Sequence, residues 1–230
     1  MVKTIKIAAL SFALFFLSIT LAAGEWPLVV IDPAHGGKDY GVAVTEKVKE
    51  KDITLKIALL LKKELEKTGR LRVVLTRETD VDLPTADRIK RIKGLNPAAV
   101  LSLHVNRAFG RSARGFEIYF PGFKPTEREE KKSGEAQHII QSMRRTEYLN
   151  KSVLLAQKLQ QSLVQVFPKE NRGLREAPME LTESLTVPAV VVELGFASNT
   201  ENLKKITTPK YEEEMARALS RGILESIGKR

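Results

Sequence analysis

Three apolar runs in this 230-residue chain each lead to an ionisable side chain. Leu28-Val29-Val30-Ile31-Asp32 leads to His35, Ala98 to Leu103 leads to His104, and Pro188 to Val192 leads to Glu193. As buried strands of an open parallel α/β sheet, the runs would gather these groups at the carboxyl strand ends, where such folds keep their sites. Glu50 joins them by another route. Ile53, Ile57, Leu60, Leu61 and Leu65 have the spacing of a buried helix face, and Glu50 prolongs that stripe by one turn. A carboxylate there either faces the helix dipole or is held by a cation in the site.

His35, Glu50 and His104 together make a two-histidine, one-carboxylate set with room for water, a combination known from catalytic zinc sites. Such a metal acidifies water and polarises a carbonyl. Burying Glu193 without a partner is costly, so its position suits either a general base or a salt bridge to a basic side chain. Asp32 is placed to orient the His35 imidazole, and Asn106 adds a polar group at the mouth of the His104 strand. The pattern points to metal-assisted hydrolysis.

The elements that must position these groups alternate. The spacing predicts helices over residues 50–67, 84–95, 147–167 and 211–227, between strands at 28–32, 72–76, 98–103, 115–120 and 188–192. The 115–120 strand is expected near an edge. This order implies a single α/β domain with a mostly parallel twisted sheet of about five to six strands and helices on both faces. One stretch breaks the rhythm. Residues 121–148 are polar, and a connection that long is a lid, a binding loop or a solvated insertion.

Residues 1–24 have the basic start, apolar middle and small residues of a signal peptide, leaving 25–230 as an exported domain with no stable membrane span after cleavage. An uncleaved anchor is the rival reading. Zero cysteines exclude disulfides and thiolate metal sites. The segment carries Lys3 and Lys6 and no acid, so its removal takes the net charge from +10 to +8. That charge suits anionic cell-wall polymers or membrane surfaces. Nucleic acid is not an expected partner, because the aromatic-rich basic motifs are missing.

Six ordered motifs carry a resemblance. They are Ile31-Asp32-Pro33-Ala34-His35-Gly36-Gly37-Lys38-Asp39, Glu50 to Leu55, Leu75-Thr76-Arg77, Ser102-Leu103-His104-Val105-Asn106, Asn171-Arg172-Gly173 and Val192 to Asn199. Across residues 28–227 the chain closely resembles the zinc-dependent N-acetylmuramoyl-L-alanine amidases of bacterial peptidoglycan. The resemblance implies Zn2+ on His35, Glu50 and His104, and Glu193 as the catalytic carboxylate. It also implies hydrolysis of the amide between the lactyl group of N-acetylmuramic acid and L-alanine, in the periplasm or cell wall. Alternatives are a non-catalytic wall-binding protein of the same fold, or a zinc peptidase cutting within the stem peptide.

Ala34 replaces the family's usual glycine, which would strain the loop if that position needs positive φ. In some relatives the insertion holds a helix that covers the site until an activator protein removes it. Here Glu135 and His138, on a short helix over 134–145, are the candidate inhibitory ligands.

Overall fold

The structure is a computed structural model that describes residues 26–122 and 135–228, the side chains of 135, 136 and 138 excepted. Six strands form one sheet: β1 (Leu28–Pro33), β2 (Arg72–Leu75), β3 (Ala99–Asn106), β4 (Phe116–Phe120), β5 (Asn171–Glu176) and β6 (Ala189–Phe196). Their spatial order is β2-β1-β3-β6-β4-β5. The first four of that order run parallel, whereas β4 and β5 run parallel to each other and antiparallel to β6. The helices are α1 (Glu50–Glu66), α2 (Thr85–Leu95), α3 (Glu135–Val166), α4 (Glu180–Glu183), α5 (Thr200–Ile206) and α6 (Pro209–Ile227).

Alternation along the strands separates two cores. Val29, Ile31, Leu101, Leu103, Val190, Val192 and Ile118 face α1, α3 and α6 in the larger one. Val30, Val100 and Ala189 face Ile92 of α2 and Leu181 of α4 in a much smaller one. The thinly covered face is the one that displays Asp32, Ser102, His104, Glu193 and Glu117, because each alternates with residues of the large core. Sheet polarity and this uneven cover together leave the site open.

Several expected boundaries move. His104 lies inside β3 and Glu193 inside β6, not beyond their ends. β4 lies next to the edge strand β5, which the apolar pattern missed because Asn171–Glu176 has no apolar alternation and is largely exposed. The helix expected from 147 begins at Glu135 and runs unbroken for 32 residues.

That continuity bears on the expected lid. Gln141, Ser142 and Arg144 to Glu147 of α3 line a broad depression of about 1340 Å³ with Trp26, Leu28, Ala99 and Pro188. Those last residues mark the amino ends of β1, β3 and β6, the opposite end of the sheet from His35 and His104. The described part of this helix therefore meets the sheet at its far end from the site. The side chains of Glu135 and His138 lie outside the described residues, as do residues 123–134 and the leader segment.

Candidate active site

His35 follows β1 in a loop that a network of buried side chains holds. Its own φ is +61°, a left-handed conformation that few residues adopt cheaply. Ala34 lies outside that region, so the alanine is not the strained residue that the family comparison suggested. Arg77 donates to the carbonyls of Pro33 (3.0 Å), Ala34 (3.0 Å) and Lys51 (2.8 Å). Arg88 donates to Pro33 O (2.8 Å) and to the carbonyl of His35 itself.

Asp32 underlies this clamp. It accepts from Arg88 (2.8 Å), Thr76 (2.5 Å) and Ser102 (2.8 Å), with 1% of its surface exposed. The expectation that Asp32 orients the imidazole is corrected accordingly: its oxygens are taken by those three groups. Asp39 does that work, its Oδ2 lying 2.8 Å from His35 Nδ1.

Glu50 opens α1 and is 2% exposed. Its Oε2 accepts from the backbone N–H of Val42 at 2.8 Å, and its Oε1 from that of Val105 at 3.0 Å. The same Oε1 lies 3.1 Å from His35 Nε2 and 3.2 Å from His104 Nδ1. Gly41 crosses directly over this pair at φ +63°. A Cβ on it would meet Glu50 Oε2 and His35 Cδ2, each at 2.6 Å, so the backbone itself forms one wall.

One ligand atom from each of His35, Glu50 and His104 lies within 4.8 Å of the others. Two imidazole nitrogens and a carboxylate oxygen are a suitable donor set for a divalent transition metal. The carboxylate behind His35 is the outer support that metal-binding histidines usually have. The residues present fit the ion.

Electrostatics distinguishes the carboxylates. Burial works against charge on Glu50, but hydrogen bonds and attraction from His104 and His35 outweigh it and hold its pKa at about 2. Burial likewise opposes charge on His35, yet Glu50 and Asp39 carry it up to about 8. Glu193 goes the other way. Burial pushes it up to about 7; His104 pulls back, while Glu50 and Glu117 add to the rise. It pairs in register with His104 across β3 and β6. Its Oε2 is buried with no hydrogen-bond partner, so the salt bridge considered for it is not formed through that atom.

Asn106 closes β3, half-buried, its carbonyl accepting from Ala197 N at 2.8 Å. Sequence reasoning missed the parts played by Asp39, Arg77, Arg88 and Glu117. Arg77 and Asp39 lay within recognised motifs, but no periodicity signals which carbonyls a buried guanidinium will hold.

A strand-end corner that gathers three candidate metal ligands beside a buried carboxylate with one unbonded oxygen suits a metallohydrolase type of α/β domain. The comparisons give that class a family. Residues 29–225 match the N-acetylmuramoyl-L-alanine amidase model, and the chain belongs to that family. It is 25% identical to the N-acetylmuramoyl-L-alanine amidase AmiC of Escherichia coli over 88% of this chain, spanning 53% of that relative's length. An N-acetylmuramoyl-L-alanine amidase from Clostridium difficile 630 superposes with a TM-score of 0.71 at 27% identity, over 87% of this chain and 96% of that one. The CwlD amidase of Clostridioides difficile, solved in complex with the GerS lipoprotein, gives 0.70 at 25%, over 87% and 98%. The six-stranded mixed sheet and its helices are thus those of amidase catalytic domains.

Proposed function

We propose that this chain hydrolyses the amide between the lactyl group of N-acetylmuramic acid and L-alanine in peptidoglycan, using zinc held by His35, Glu50 and His104. One observation carries the reading. A buried carboxylate with a free oxygen, Glu193, stands in strand register with one member of a preformed donor set.

When bound by His35, Glu50 and His104, the ion would supply Lewis acidity for the scissile carbonyl and would acidify water. Glu193 takes the proton from the attacking water, which its raised pKa permits near neutrality, and delivers it to the alanine nitrogen. The new C–O bond forms at the lactyl carbon, the C–N bond breaks, and the products are a lactyl carboxylate and an intact stem peptide. Asp39 keeps His35 in the rotamer that presents Nε2 inward. Asn106 offers a polar contact for substrate at the mouth of β3.

The substrate places the protein outside the cytoplasm, in the periplasm or cell wall, after removal of residues 1–24. Residues 121–148 remain the candidate contact for an activator protein, since a CwlD amidase is found with a lipoprotein partner. Among the described residues no helix is long and apolar enough to cross a membrane.

Mass spectrometry of products from purified peptidoglycan tests the assignment. Metal-dependent release of complete stem peptides is expected. Shortened peptides would identify a peptidase instead, and no release despite bound metal would indicate a binding protein.

A further inference from the structure

The open face carries a second set of charged groups beyond the proton carrier. His104 on β3, Glu193 on β6 and Glu117 on β4 are direct register partners, forming one row across three strands. Glu117 is 3% exposed. Its Oε2 accepts from the Tyr119 hydroxyl at 2.9 Å, and its Oε1 from Arg175 Nε. Arg172 Nε lies 3.9 Å from the same carboxylate, and its guanidinium sits 4.8 Å from the centre of the Phe196 ring.

Two arginines of edge strand β5 are therefore fastened by their inner edges to a buried acid. Their outer edges stay accessible: the Arg175 side chain is 52% exposed and that of Arg172 34%. Among the described residues, the terminal nitrogens of Arg175 bond no acceptor. A guanidinium aimed this way is prepared to receive a planar anion through two parallel N–H donors.

We propose that Arg172 and Arg175 form a carboxylate subsite for the departing stem peptide, binding the free carboxylate of the residue that follows L-alanine. This rests on the amidase reading above. Glu193 can protonate the leaving nitrogen only if that nitrogen lies on the β6 side of the donor cluster. The peptide leaving with it then runs across β4 towards β5. Two strand spacings separate β6 from β5, about 10 Å. Two peptide residues span about 7 Å, and the arginine side chains cover the remainder.

The chemistry makes the subsite selective. Stem peptides carry at that place either D-glutamate with a free carboxylate or its amide, D-isoglutamine. The fork accepts the first in a charge-assisted pair, whereas the amide brings an NH₂ donor against another donor.

The test uses soluble N-acetylmuramoyl-L-alanyl peptides identical except for that group. The full-length protein should favour the carboxylate by about tenfold or more in kcat/KM, chiefly through KM. Arg175→Gln and Arg172→Gln should each narrow the ratio, and the double variant should bring it near one. Arg175→Lys, which keeps charge but loses the fork, should restore it only partly. Equal kcat/KM in the unaltered protein overturns the subsite. So does an unchanged ratio in variants whose activity falls, because a structural role lowers both substrates together.

Calorimetric binding of the two peptides to Glu193→Gln protein needs no turnover and separates the two readings. Preferential binding lost in the arginine variants, without hydrolysis by the unaltered protein, would leave the subsite standing and remove the amidase. Hydrolysis without preference would do the reverse.

Discussion

Around His35 the backbone carbonyls are held by Arg77 and Arg88, and Asp39 fixes the ring, whereas two strands away Glu193 lies buried with one oxygen unbonded. The two regions share the carboxyl end of the sheet, yet they solve opposite problems. Donors for a metal must keep one geometry, so they are tied through several buried hydrogen bonds to β1, α1 and the loop between them. A proton carrier must change charge, so a fixed partner would stabilise one state and slow the exchange. The contrast teaches that fixed geometry and a freely exchanging proton are kept on separate strands, joined through the His104–Glu193 register.

Breaking the tied region should have the largest effects. Glu50→Ala removes one donor and strands the N–H groups of Val42 and Val105, each worth about 1–3 kcal/mol when buried unpaired. Metal affinity should fall more than ~100-fold, beyond what loss of an outer partner causes. Metal titration and urea unfolding together check both parts. Arg88→Ala leaves Asp32 buried without its cation and frees the His35 carbonyl, and should cost about 3–5 kcal/mol in denaturant unfolding. Asp39→Asn keeps the ring's neighbour but weakens its hold; a roughly 10–100-fold loss of metal affinity is expected, with little change in fold.

The smallest effect sharpens the other side of the comparison. Glu193 has a folded pKa raised to about 7, so the folded state retains its proton more readily than the unfolded chain. Its contribution to metal-free stability is complete below the ordinary carboxylate range and is lost as pH rises through about 7. Glu193→Gln should therefore be more stable than the unaltered metal-free protein at pH 8, by on the order of 1–3 kcal/mol. At pH 4 the difference should vanish. Thermal unfolding across that range decides it, and an equal difference at both pH values would show that the carboxyl is not strained by burial.

The two regions also differed in how much the sequence disclosed. Glu50, His104 and Glu193 were legible because a charged residue on an apolar stripe or in an apolar run stands out, and the structure buries or half-buries all three. Their supports were not. Asp32 meets Thr76 and Arg88 only through the tertiary fold, and residues 44 or 56 positions apart in sequence leave no periodic trace; Asp39 reaches His35 through the turn after β1. β5 was hidden for a different reason. Its residues pair on one side only and are mostly exposed, so hydrophobic patterning never marked them. In α3 the described side chains of Gln137 and of Ile139 to Arg144 are exposed too, so no apolar stripe of their own is buried there.

The central claim is that three residues hold the metal while a fourth, held by none of them, moves the proton. Turnover of Glu193→Gln on purified peptidoglycan, measured with its metal content by atomic emission, tests it most directly. Full metal occupancy with kcat reduced by roughly 10²–10⁴ is the predicted result. Retained activity, or a loss of activity that tracks loss of metal, would contradict it.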